Sequence, residues 1–145
     1  VRPLLEAAGG RGIPVIIQLR VQDVRAQNPL GAAPDVDVTD AIKAARENPE
    51  TRFVIGGIKW TEAQTSAKEI VELPNLWIEI SNIEYMDGLR KLIEVYGTGK
   101  LLFGTHAPFF VIRSAILKLR EAELSEEERY VITTGNASYI FGVAS

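Results

Sequence analysis

His106 is the only histidine in the 145-residue chain, and its setting matters more than its rarity. It follows Leu101-Leu102-Phe103, a short apolar run closed by Gly104 and Thr105, and it precedes Pro108. An imidazole at the exit of a strand can move a proton near neutral pH or ligate a metal. It can equally serve as a loop hydrogen-bonding group, since a lone histidine forms no cluster. Glu79 shares one face of an alternating run with Trp77 and Ser81, while Ile78 and Ile80 take the other. A carboxylate turned inward needs a partner or a raised pKa, which makes Glu79 the second catalytic candidate. A structural ion pair is the alternative. Gln18 and Arg20 extend the apolar Val15-Ile16-Ile17 on the face of Ile16, Lys59 follows Gly56-Gly57, and Asn82 leaves the Leu76–Ser81 run. These four are the candidates for binding a substrate, or else satisfied loop polarity.

Four apolar segments must position those side chains: 15–17 with its polar extension, 52–55, 76–81 and 101–103. Each is followed by helical sequence, a pattern that favours parallel βαβ units. The last three recur near the spacing of a (β/α)8 barrel unit, about 31 residues. Four units make half of such a barrel, read as one domain over 1–145. In that arrangement strand exits face a common pocket.

The intervening segments carry their own signals. Leu4, Leu5 and Ala8 share a helical face before Gly9-Gly10. Residues 21–36, with Asn28-Pro29, Gly31 and Pro34, read as a long loop. Asp37 or Thr39 caps the next helix, with Ile42 and Ala45 inward. Thr61 and Gln64 fit a capping box, and Ile70 and Val71 face inward from the helix that follows. A helix over 84–96 has the stripe Leu89, Leu92, Ile93 and Tyr96, stopped by Gly97. Ile112, Ala115, Ile116 and Leu119 form the inner face of the helix after Pro108. Ser125 with Glu128 is a capping box whose acidic residues suit the helix dipole and not a metal. Gly135-Asn136 reads as a break, with Asn136 capping the final turn.

The bulk composition is that of a folded protein: 46% hydrophobic, 24% charged, net charge −3. No basic block suggests nucleic acid. The chain lacks cysteine, which excludes disulfides and thiolate metal sites and fits a cytoplasmic protein. No run approaches the roughly 18 apolar residues of a membrane span, and no secretory leader is seen. Two open sheet edges in a half-barrel predict either a homo-oligomer or a further half-barrel upstream of Val1.

Several separated motifs together resemble the amidohydrolase-related family of TIM-barrel hydrolases and decarboxylases. They are Asn75-Leu-Trp-Ile-Glu-Ile-Ser81, Gly88-Leu89 through Glu94-Val-Tyr-Gly97, Lys100-Leu-Leu-Phe-Gly-Thr105 before Pro108, Leu124 to Arg129, and Gly135-Asn-Ala137 with Ile140-Phe-Gly142. The resemblance implies the C-terminal half of the barrel and a divalent metal, zinc among the candidates, at the strand ends. It places a His-x-His pair, or a variant with Glu, on a first strand that has no counterpart in these residues. Further histidines fall where this chain has Gln18 and Gly56 or Gly57, and an aspartate where it has His106. Imidazole can ligate or accept a proton, so His106 is the metal candidate. Glycine offers no ligand atom and glutamine is a poor transition-metal ligand. The resemblance thus implies a metal-dependent hydrolase or decarboxylase of a small polar or carboxylated substrate with a degenerate site. The alternative is a non-catalytic barrel that binds a small molecule or serves a structural role, with no metal at all.

Overall fold

The structure is a computed structural model that describes residues 2–21, 28, 30 and 33–142. Most of the 21–36 loop, and Val1, lie outside those residues. Helix α1 (Arg2–Gly9) leads into strand β1 (Val15–Gln18). Helix α2 (Val38–Glu47) is followed by β2 (Phe53–Gly56), α3 (Trp60–Thr65), α4 (Ala67–Glu72) and β3 (Leu76–Glu79). Then come α5 (Gly88–Tyr96), a single 3-10 turn at Thr98–Lys100, β4 (Leu101–Leu102), α6 (Ile112–Glu121), α7 (Glu126–Tyr130), a π-helical stretch (Val131–Gly135) and α8 (Asn136–Phe141). The strands form one parallel sheet in sequence order, β1-β2-β3-β4. Alternating parallel strands and helices are thus the architecture the apolar spacing predicts.

The sheet separates two apolar layers because side chains alternate along each strand. Phe53, Ile55, Ile78 and Leu101 are fully buried against the helices, with Ile42, Ile70, Leu89 and Leu92. Val54, Trp77 and Leu102 face the other way and pack against Ile140 of α8. Helix α8 therefore covers part of the inner face. Ile16, on that face at the edge, stays 56% exposed.

Local capping explains the starts of α2, α3 and α7. Asp37 accepts the Thr39 amide at 2.8 Å. Ser125 and Glu128 form the reciprocal capping box, at 2.8 and 3.1 Å. The 60–65 helix begins earlier than Thr61 and Gln64 suggest. Glu62, not Gln64, reaches back to the Lys59 amide at 2.8 Å. The 84–96 helix starts only at Gly88, because Asp87 has φ of 56°, a left-handed conformation that cannot continue a helix.

Several predicted inward faces are rotated. Leu4 is 70% and Ile112 54% exposed, and Val71 and Ile116 are also exposed. Helix α6 instead buries Ala115, Leu119 and the following Ala122. Nor does Gly135-Asn136 break the chain. Helix α7, the π stretch and α8 run on without interruption, and the Asn136 side chain donates from Nδ2 to the carbonyls of Thr98 and Leu101, both at 2.8 Å.

That last contact revises the expectation of two open edges. Leu102 bonds towards β3, through the Ile80 amide. In a parallel ladder its neighbours Leu101 and Phe103 must then direct their main-chain groups to the outer side. Asn136 takes the Leu101 carbonyl, and the Ile132 carbonyl takes the Phe103 amide at 3.0 Å. The β4 edge is closed by the chain's own C-terminal helix. Among the described residues, strand β1 is the edge that remains.

Candidate functional site at the strand ends

The carboxyl ends of β1 and β4 meet through Gln18 and His106. Gln18 donates from Nε2 to the Arg20 carbonyl at 2.9 Å, and the same nitrogen lies 3.4 Å from His106 Nδ1. His106 Nε2 is 2.7 Å from the carbonyl of Val21. A carbonyl only accepts, so Nε2 carries the proton and Nδ1 presents its lone pair to Gln18. The ring is held by Phe109 and Phe110, at centroid distances of 5.5 and 5.0 Å. Its backbone has φ of 50°, uncommon for a non-glycine residue and typical of strained sites.

Glycine makes the Gln18 position possible. A Cβ at Gly56 would overlap Gln18 Oε1, and one at Gly57 would lie 2.7 Å from Nε2. The carboxamide therefore occupies the space where a side chain from the end of β2 would project. The pattern recurs two strands on. A Cβ at Gly104, after β4, would overlap the Glu79 carboxylate.

Glu79 is clamped from its own strand exit. Its oxygens accept the Ser81 amide and the Ser81 hydroxyl, each at 2.6 Å, and Ser81 Oγ lies 3.2 Å from Asn82 Oδ1. Glu79, Ser81 and Asn82 thus form one polar group. Below it, the Lys118 ammonium on α6 donates to the carbonyls of Ile80 and Ser81, at 2.6 and 2.9 Å. Burial pulls the Lys118 pKa below its ordinary value, partly offset by Glu79 and Glu84. Sequence reading passed over Lys118. The available signal was a lysine within the buried stripe Ala115, Leu119 and Ala122.

Arg20 is placed apart from this group. Strand β1 ends at Gln18, and the Arg20 side chain crosses to the loop after β2. It bonds the Gly57 carbonyl, pairs with both Glu62 oxygens at 2.9 and 2.5 Å, and reaches Asp35 at 3.2 Å. Burial lowers its pKa, but the bonds to Glu62 and Asp35 outweigh that effect and the net direction is up. Lys59 is exposed and lines a shallow cleft of about 310 Å³ with Arg20, Asp35, Asp37 and Glu62. The structure therefore joins Gln18 to His106 and Glu79 to Asn82, and sets Arg20 with Lys59 in a neighbouring cleft.

Among the described residues these donors do not by themselves complete a transition-metal centre. Such a site takes three protein ligands in a catalytic setting. Among the described residues no group of three or more His, Cys, Asp or Glu converges. Both His106 nitrogens are engaged, the β2 exit has no side chain, and Gln18 fills the space above it.

A family model for amidohydrolases matches residues 1–143, and the chain belongs to that family. No curated protein matches the sequence. Among solved structures, the fold is similar to 5-carboxyvanillate decarboxylase from Sphingomonas paucimobilis (20% identity, TM-score 0.69, covering 98% of this chain and 53% of that one). It is similar to an uncharacterised TIM-barrel protein from Bordetella bronchiseptica (19%, TM-score 0.73, 97% and 50%). A third is dihydroxybenzoic acid decarboxylase from Polaromonas, with bound manganese and 2-nitroresorcinol (18%, TM-score 0.69, 97% and 53%). The chain spans about half the length of the structures it matches, and its four parallel βα units correspond to half of a TIM-barrel amidohydrolase fold. Among the described residues no helix is long and apolar enough to cross a membrane.

Proposed function

We propose that the strand-end site binds a small polar or carboxylated molecule whose donor replaces the Gln18 amide on His106 Nδ1, and that these strands hold no divalent metal. The observation that carries this reading is the seat of Gln18. Its carboxamide lies across Gly56 and Gly57 and reaches His106, where a metal ligand would otherwise project. Glu79 supplies a fixed acceptor for a ligand hydroxyl or amine. The names of the related structures, carboxyvanillate and dihydroxybenzoate decarboxylases, make 2,6-dihydroxybenzoate a reasonable first probe. Bond cleavage, by hydrolysis or decarboxylation, would then rest on proton transfer at His106 and on residues outside this half-barrel.

The test is calorimetric titration of the full-length protein with 2,6-dihydroxybenzoate, before and after exhaustive chelation, with elemental analysis of the same sample. Binding should survive chelation and fall about tenfold in His106→Ala, the loss of one good hydrogen bond to a polar ligand. Stoichiometric zinc or manganese whose removal abolishes binding would reject the proposal.

A further inference from the structure

Lys118 lies outside every element that carries the candidate site residues, yet its ammonium ends among them. It comes from the buried side of α6, crosses beneath the β3 exit and donates to two consecutive carbonyls, Ile80 at 2.6 Å and Ser81 at 2.9 Å. Consecutive carbonyls seldom converge on one donor unless the chain between them is turned, and here the chain has just left β3. The amide of that same turn, Ser81 N–H, and its hydroxyl are the two donors on the Glu79 carboxylate. Ser81 is itself buried. The other side of the carboxylate is fixed by close approach, since Gly104 leaves no room for a side chain there. Burial disfavours the charged form of a lysine in this place, and the nearby Glu79 and Glu84 offset part of that cost.

We infer that Lys118 is a positioning residue for Glu79: by holding the carbonyls of Ile80 and Ser81 it fixes the two Ser81 donors that orient the carboxylate towards a ligand hydroxyl. This rests on the proposed ligand site for its consequence, but its structural part can be read without any ligand. The lysine touches neither ligand nor proton in transit. It sets how well the carboxylate is organised before the ligand arrives.

The primary measurement is amide hydrogen exchange of the full-length protein without ligand, comparing Lys118→Met, Lys118→Arg and Ser81→Ala with the wild type. In Lys118→Met the Ser81 amide should exchange about tenfold faster, a local opening, while amides of Leu92 and Leu119 keep their rates. Lys118→Arg, which can still donate to both carbonyls, should restore slow exchange. Ser81→Ala keeps the lysine in place and should leave the exchange of Ile83 unchanged. An unaltered Ser81 rate in Lys118→Met would overturn the inference. So would an acceleration spread evenly through α6, which marks a merely structural lysine.

The second measurement is selectivity for 2,6-dihydroxybenzoate over 2,6-dimethoxybenzoate, which offers no hydroxyl donor. Glu79→Gln and Lys118→Met should both narrow the wild-type preference severalfold, and Lys118→Arg should keep it. Unchanged selectivity in Lys118→Met would overturn the link to recognition. If the wild type binds neither compound, the ligand-site reading fails, while the exchange data still decide the role of Lys118.

Discussion

The carboxamide of Gln18 lies over two glycines while its nitrogen is divided between the Arg20 carbonyl and His106. Adding a methyl group at Gly56 would push on the far end of this flexible side chain, so the backbone need not move. Gly56→Ala is expected to leave the fold within about 1 kcal/mol of the wild type, the cost of an off-rotamer glutamine. It should also free His106 Nδ1, seen as a changed imidazole nitrogen shift by NMR. An unchanged His106 signal would show that the two residues are not coupled. Gly57 differs, because its φ of 71° adds backbone strain to the crowding in any substitution. Around Glu79 the same logic runs through Gly104. Two polar side chains at the top of the sheet owe their seats to what their neighbours lack.

Helix α5 is anchored to α3 by more than its apolar stripe. Tyr96 is 5% exposed and donates its hydroxyl to the Ala63 carbonyl at 2.5 Å. Burial raises the Tyr96 pKa above its ordinary value of 10.0. The folded state therefore holds that proton more tightly than the unfolded chain does. The resulting stabilisation is complete below pH 10.0 and is lost as pH rises from there through the folded-state value. Alkaline unfolding should show one phenol that ionises only as the chain unfolds, and Tyr96→Phe should remove that late phenolate absorbance. Simultaneous ionisation well before unfolding would contradict this. At the C-terminal helix, the π-helical turn has a comparable joining role. The Asn136 side-chain Nδ2 and the Ile132 carbonyl both serve the outer side of β4, where no strand lies among the described residues. An edge strand covered in this way is protected from pairing with another chain.

At the scale of the molecule, the two edges of the sheet are unequal. Strand β1 bonds to β2 through Val15 and Leu19, so Ile16 and Gln18 turn their main-chain groups outward. Ile13 and Ile16 are more than half exposed beside that edge. The 145-residue chain by itself is expected to associate through β1. Size-exclusion chromatography should show a dimer or larger species, and Ile16→Lys, a charge on the edge strand, should shift it towards the monomer. A wild-type monomer with a sharp thermal transition would reject this expectation. A further half-barrel in a longer chain, pairing with β1, would make the same association unnecessary.

Four apolar segments alternating with helices in parallel units, and Glu79 on the same face as Trp77, were legible in the sequence. Those properties follow from a local period of two and from turn residues between apolar runs. The same local chemistry placed the Asp37 and Ser125 caps, and it brought Gln18, Glu79 and His106 to strand exits. Long-range packing alone seats Gln18 over the bare end of β2, turns Arg20 aside to Glu62 and brings Lys118 to the turn beyond β3. It also decided that Ile112 and Ile116 face outward while Ala115 and Leu119 are covered. Periodicity identifies an apolar stripe, but the neighbouring surface selects which part of that stripe is buried. A hydrogen bond between residues 88 positions apart, such as Gln18 to His106, exists only once the strands between them have closed that distance.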